Sequence, residues 1–331
     1  MKKAIASSLL CRTGLRRLLH RSARWSGVLA LNYHRIGEAQ ASSYDRGLWS
    51  ASADTFSEQL RFCKNQLEII GPADLPRVLA EKHGRYAMFT FDDGYRDNYE
   101  VAFPILRHEN VTATFFVASG YIDSPALSWW DEIAWMVRTS QHSGLELSPW
   151  LAAPVSFDEP NREAAIVTLL RRYKAMPAEH NAGYLDAIAA VAGTGRGGDH
   201  ANDQLWMTWE MLREMKAAGM TIGGHTVTHP ILSQMSSQNQ LSEILECGRR
   251  LASELGEPMR YFSYPVGNVI SFDATTQQCL RQAGVSYAFS YYGGYRRFDD
   301  WNDYDIRRVA VERELSVDWF RCIISLPQLF A

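Results

Sequence analysis

The sequence predicts an α/β chain in which buried strands alternate with amphipathic helices. Three observations carry this: short apolar runs recur from Val28 to Glu312, helical patterns separate them, and the composition is globular, with 46% hydrophobic and 12% aromatic residues. At 331 residues the chain can bury one large core or two ordinary ones.

VLALNYH (28–34) reads as a first buried strand, and a helix is expected from about Asp54, where Thr55-x-x-Glu58 has the form of a capping box. YAMFTF (86–91) and VTATFFVA (111–118) are further strands, β-branched and aromatic, with a helix near 98–109 between them. From about 127 to 204 the rhythm changes. WWDEIAWMVRTS, EPNREAAIVTLLRRYKAM and HNAGYLDAIAAVA read as helices without a convincing strand, as expected of a helical insertion. Trp129, Trp130 and Trp135 in that segment read as core, with sugar stacking the alternative. The insertion ends in GTGRGGD, whose Gly193, Gly195 and Gly198 match G-x-G-x-x-G, but no strand precedes it and no helix opens at the third glycine; it reads as a connector. Strands MTIGG (220–224), RYFSYP (260–265), VSYAFSYY (285–292) and DIRRVAVE (305–312) follow, with helices near 208–218, 237–255 and 272–283.

The formal net charge of −3 and the absence of long basic runs exclude a polynucleotide partner. Five scattered cysteines, odd in number and without a C-x-x-C pair, argue against a disulfide framework or a cysteine zinc site. Residues 1–26 form a basic helix or arm; its apolar run is too short and too interrupted by arginine for a signal peptide or a span. The expectation is a cytoplasmic protein, peripheral to the inner membrane if residues 1–25 rest on an anionic surface, the alternative being a solvated arm or a packed helix.

Two motifs carry chemistry. In GGHTVTHP, His225 and His229 stand four apart just beyond a strand, a pairing that reads equally as two metal ligands or as unrelated histidines. In TFDDG, Asp92 and Asp93 end a strand before a turn glycine, where two carboxylates are costly to hold without a cation or proton. Together they supply two imidazoles and a carboxylate, a three-ligand set that leaves a metal position open.

TFDDG, then HTVTH, then SYPVG (263–267), each after an apolar strand, resemble the polysaccharide deacetylases of the NodB-homology group, carbohydrate esterase family 4. The resemblance spans about residues 28–312 and implies a distorted (β/α) barrel over 27–331 with a helical insertion between the first and second motifs. It implies Asp93, His225 and His229 as ligands of a divalent metal, zinc by donor type, and Asp92 as general base. It also implies an oxyanion and substrate contact at Tyr264, Pro265, Val266 and Gly267. The implied activity is removal of acetyl from an N-acetylated glycan, a bacterial exopolysaccharide or its lipid-linked precursor, with deformylation of a lipid-linked sugar or glycan binding without catalysis as alternatives. Two departures stand out. Ser263 occupies the position where the family commonly has Arg, leaving Arg260 or Arg308 to replace it or the base to be tuned without a cation, and no histidine follows His229 to act as the late general acid. His34, in LNYHR, fits the branch with an early Tyr-His segment that includes poly-N-acetylglucosamine deacetylases, and is assigned that role.

Overall fold

The computed structural model describes residues 2–16, 19, 25–123, 126–158, 161–197 and 205–331. Its strands are β1 (Gly27–Tyr33), β2 (Arg35–Ile36), β3 (Trp49–Ala51), β4 (Glu68–Ile69), β5 (Arg85–Phe91), β6 (Thr114–Val117), β7 (Gly144–Leu145), β8 (Val155–Ser156), β9 (Thr221–Gly224), β10 (Tyr261–Ser263), β11 (Tyr287–Phe289) and β12 (Arg308–Ala310). The α-helices are α1 (Lys2–Arg12), α2 (Ala53–Lys64), α3 (Leu75–Glu81), α4 (Phe103–His108), α5 (Trp129–Thr139), α6 (Arg162–Lys174), α7 (Asn181–Ala192), α8 (Trp209–Ala217), α9 (Ser237–Leu255), α10 (Ala274–Gln282), α11 (Val317–Ser325) and α12 (Pro327–Phe330).

Seven parallel strands follow one another as β11, β10, β9, β6, β5, β1 and β12. The two ends of that path meet through a parallel bridge between Phe289 and Ile306, where Ser290 N donates to Ile306 O at 3.0 Å and Ile306 N to Ala288 O at 2.9 Å. The result is a nearly closed, distorted (β/α) barrel with helices around it. β4 pairs with the first half of β5 and β6 with its second half, so β4 stays off the main path.

The two-residue side-chain period sorts each strand between two environments. Val28 and Ala30 of β1 and Tyr86 and Met88 of β5 join Phe116, Phe289 and Ile306 in one buried cluster, the barrel interior. Leu29, Leu31, Ala87, Phe89 and Phe115 alternate outward into the larger cluster under the helices. Towards the C-terminal strand ends the interior column turns polar, from Ala30 to Asn32 on β1 and from Met88 through Thr90 to Asp92 after β5, all buried. Gly223 makes this filling possible, since a Cβ there would lie 2.6 Å from the Phe116 ring.

Three sequence expectations need correction. The cap of α2 is Ser52, whose Oγ accepts from Thr55 N at 3.2 Å, so the helix begins at Ala53 and Thr55 lies within its first turn rather than capping it. The segment read as strand-free holds a short antiparallel pair, β7 with β8. Strand β4 escaped notice because two paired residues carry no periodicity. Gly193, φ 70°, is the left-handed C-cap of α7, which accounts for the first glycine of GTGRGGD as a helix stop; Gly198 lies outside the described residues. Trp129, Trp130 and Trp135 are buried, in the second core formed by α5, α6 and α7. All five cysteines are free thiols.

Candidate active site

Each loop leaving a C-terminal strand end adds a piece of the site, as expected for parallel βα barrels. β5 delivers Asp92 into the barrel interior and then turns sharply: Asp93 has φ 78° and Gly94 φ 96°. After β9, Thr226 (φ 68°) and His229 (φ 57°) fold HTVTH into a tight turn, closed by His229 N donating to Thr226 Oγ1 at 3.0 Å. After β10, Val266 has φ 63°. These four non-glycine residues are held in the left-handed region, a cost that sites commonly bear to aim side chains.

The turns bring Asp93, His225 and His229 together, with one donor atom from each lying within 4.8 Å of the others. Asp93 Oδ1 is 3.5 Å from the Nε2 atoms of both histidines, and all three residues are buried. His225 Nδ1 lies 2.7 Å from Ser263 O. A carbonyl only accepts, so Nδ1 carries a proton and Nε2 is the atom that faces the cluster. Burial and the neighbouring His225 push His229 down to about 3, keeping it neutral, and its ring packs edge-on against Trp130 at 4.4 Å. The His229 Nδ1 atom is buried without a hydrogen-bond partner. Burial opposes the charge on Asp93, yet hydrogen bonding from His225 and the nearby imidazoles hold its carboxyl below the usual range. Two neutral-capable imidazoles and an ionised carboxylate form a donor set that fits a divalent cation.

Asp92 is tied elsewhere. Arg308 of β12, fully buried, donates from Nη1 to Asp92 Oδ1 and from Nη2 to Oδ2, both at 2.8 Å. Ser263 Oγ at 3.2 Å and Asn32 Nδ2 at 3.3 Å also donate to Oδ2. Burial alone would raise the Asp92 pKa, but the guanidinium outweighs it and holds the carboxyl far below its ordinary value. Arg308 Nη2 also donates to Ser263 Oγ at 2.7 Å, so the guanidinium reaches the neighbourhood of the serine from another strand. The register of β12 on β1, Ala30 opposite Arg308, places it there. Arg260 is exposed and makes no part of this cluster.

A cavity of about 260 Å³ opens over these groups. His34, Asp92, Asp93, His225, His229, Tyr264 and Val266 all line it. His34 is half-buried, its ring edge-on to Tyr291 at 5.6 Å, and its backbone N–H donates to Ser50 Oγ at 3.0 Å. The Tyr264 hydroxyl donates away from the cavity, to Tyr304 O at 2.8 Å, so the residue contributes its ring, which stacks on Phe272 at 3.9 Å. Pro265 is buried behind the turn. Gly267, φ 65°, admits Tyr291, whose N a Cβ would meet at 2.8 Å. Sequence reasoning missed Asp45, Lys174, Tyr291 and Glu312, which also line the cavity. Arg308, one of the two arginines considered for the place of the family's Arg, shares in DIRRVAVE the inward register of Ile306, a charge on an otherwise buried face.

Family models place residues 80–146 and 156–288 in one match, described as polysaccharide deacetylase. Among solved structures, the deacetylase PplD of Streptococcus pyogenes, in complex with acetate, is 18% identical and aligns over 92% of this chain and 98% of its own, with a TM-score of 0.58. IcaB from Ammonifex degensii is 19% identical over 92% and 98%, with a TM-score of 0.55. The de-N-acetylase from Aggregatibacter actinomycetemcomitans is 14% identical over 92% and 99%, at 0.54. At such identities the likeness is one of fold. No curated protein matches the chain in sequence.

Proposed function

The chain belongs to the polysaccharide deacetylase family, hydrolases of carbon–nitrogen bonds outside peptides, and from that premise we propose that it removes the acetyl group from an N-acetylated amino sugar with a divalent metal, zinc by donor type. The sugar belongs to a surface polysaccharide or its lipid-linked precursor. One observation carries the reading: three metal-capable donors converge within 4.8 Å, with a separately held carboxylate, Asp92, on the wall of the same cavity.

Asp93, His225 and His229 would hold the metal, which when bound supplies Lewis acidity to the acetyl carbonyl and to water. Asp92 takes the proton from the attacking water. Its ionised state suits that role, and the bidentate grip of Arg308 fixes its orientation. The N–H of Val266, presented by its left-handed turn at the cavity wall, donates to the oxygen that gains charge as the carbon becomes tetrahedral. His34, which lines the same cavity, passes a proton to the departing amine. The glycan-binding alternative drew on Ser263; the presence of Arg308 at Asp92 removes that motive. A cavity of this volume suits one sugar residue, with the rest of the chain outside.

The test is acetate release from N-acetylhexosamine oligomers by protein loaded with zinc and by protein treated with chelator. The reading expects release that is lost on chelation and regained with metal. No release from any acylated sugar would refute it.

A further inference from the structure

Residues 1–26 carry seven of the 34 Lys and Arg and none of the 37 Asp and Glu, leaving 27 cations against 37 anions in the rest of the chain. The fold does not leave the described residues 2–16 of this segment as a free arm. α1 packs antiparallel on α11: Cys322 Sγ donates to Ser7 O at 3.8 Å, Cys11 Sγ to Asp318 O at 3.7 Å, and Lys3 Nζ to Phe330 O of α12 at 3.4 Å. Ser7 is wholly buried, and Leu10 and Cys11 pack on the main core.

The outward face is apolar as well as basic. Ile5 is 66% exposed and Leu9, one helical turn on, 63%. Val317 at the start of α11 and Leu329 in α12 are 46% and 60% exposed, beside opposite ends of α1. With Leu15, five of the ten large exposed apolar side chains among the described residues belong to this corner. Lys3 and Arg12 are exposed on α1 itself. Asp318, the acid on the adjoining helix, is half-buried and engages the Cys11 thiol. Among the described residues no helix is long and apolar enough to cross a membrane.

We propose that this corner, the outward face of α1 with the adjoining ends of α11 and α12, docks on an anionic lipid surface. Apolar side chains flanked on α1 by cations, on a chain otherwise negative, match the interfacial binding pattern, in which burial of apolar groups and attraction to acidic headgroups add. The corner is composite, built from both ends of the chain. Its Val317 end lies towards the cavity: α11 follows β12, so Val317 is five residues beyond Glu312 in the cavity wall, whereas Gln328, next to Leu329, lines a groove with Trp25 and Ser26 just before β1.

The test is co-sedimentation of the full chain with vesicles of phosphatidylcholine alone or mixed with phosphatidylglycerol, read without any turnover, so that it stands apart from the deacetylase reading. The full chain is expected to sediment with the anionic vesicles at low salt, to be released by high salt, and to ignore the neutral ones. Lys3→Glu with Arg12→Glu should weaken binding by at least about fivefold per charge removed. Ile5→Ser with Leu9→Ser, and separately Val317→Ser with Leu329→Ser, should each weaken it while leaving the circular dichroism spectrum and turnover of a soluble oligomer unchanged. Equal binding by all variants, equal binding to neutral vesicles, no vesicle binding, or a dimer through this face in place of vesicle binding would each overturn the proposal. Loss in the α1 variants with none in Val317→Ser/Leu329→Ser would overturn the composite surface.

Discussion

Replacing Arg308 by Met tests the most buried charge pair of the site. The substitution removes both 2.8 Å bonds to Asp92 and leaves its carboxylate, 3% exposed, with Ser263 and Asn32 at 3.2 and 3.3 Å. Charge centres about 4 Å apart interact by about 4 kcal/mol at an effective dielectric constant of 20, and orphaning one partner of a buried pair costs about 3–5 kcal/mol. The remaining donors offset part of this, so Asp92 recovers a more ordinary or raised affinity for protons. Because Asp92 must be ionised to act as base, the acid limb of the kcat/KM profile moves upward by roughly 2 to 3 pH units. The stability contribution has a matching sign: a carboxyl depressed in the fold stabilises above its unfolded pKa and loses that contribution as pH falls. Urea unfolding of the metal-free protein and the pH dependence of acetate release measure both. Adding Asp92→Asn to Arg308→Met should restore part of the stability, since no charge is then orphaned. Adding Ser263→Arg should return the acid limb towards its original position, since a guanidinium would again face Asp92. An acid limb moved by less than half a unit together with a stability loss under about 1 kcal/mol would refute the reasoning.

Four further outcomes follow from the same geometry. His34→Ala should lower turnover roughly 10²–10⁴-fold with metal content unchanged; unchanged turnover in a folded variant ends its role as acid. His229→Ala should lower zinc per chain, measured by elemental analysis, since it removes one of three donors; full retention of metal would contradict the ligand set. Asp131 is raised to about 6 by burial, against its bond from Tyr95 at 2.6 Å and the pull of Arg35. A raised carboxyl loses stability as pH climbs from its unfolded value through 6, by about 3 kcal/mol at most, so Asp131→Asn should flatten that slope in urea titrations at pH 4 and 7. Gly223→Ala should destabilise by about 1–3 kcal/mol, because its Cβ would sit 2.6 Å from Phe116 and 2.9 Å from Tyr261 O; a neutral effect would mean that the interior yields.

The alternation of strands and helices is legible because strands buried on both faces read as continuous apolar runs, as in VLALNYH and YAMFTF. Closure of the barrel is not, since it rests on pairing between Phe289 and Ile306, and between β12 and β1, which no local pattern encodes. The cluster of Asp93, His225 and His229 lies within two short motifs and could be assembled on paper. Arg308 enters the site only through its register opposite Ala30, some 280 residues upstream. Lys174 and Asp45 reach the cavity from the end of α6 and from the loop before β3, which carry no periodic signal. The start of α2 illustrates a smaller failure: Ser52 and Thr55 both offer capping hydroxyls, and only the backbone geometry selects Ser52.

The central claim, that Asp92 supplies the base beside a metal held by its neighbours, is tested most directly by Asp92→Asn, with metal content and acetate release measured on the same sample. The account predicts full metal occupancy, unchanged oligomer binding and a fall in release of at least a hundredfold, roughly the low end of general-base contributions. Release undiminished in a fully loaded Asp92→Asn protein would contradict it.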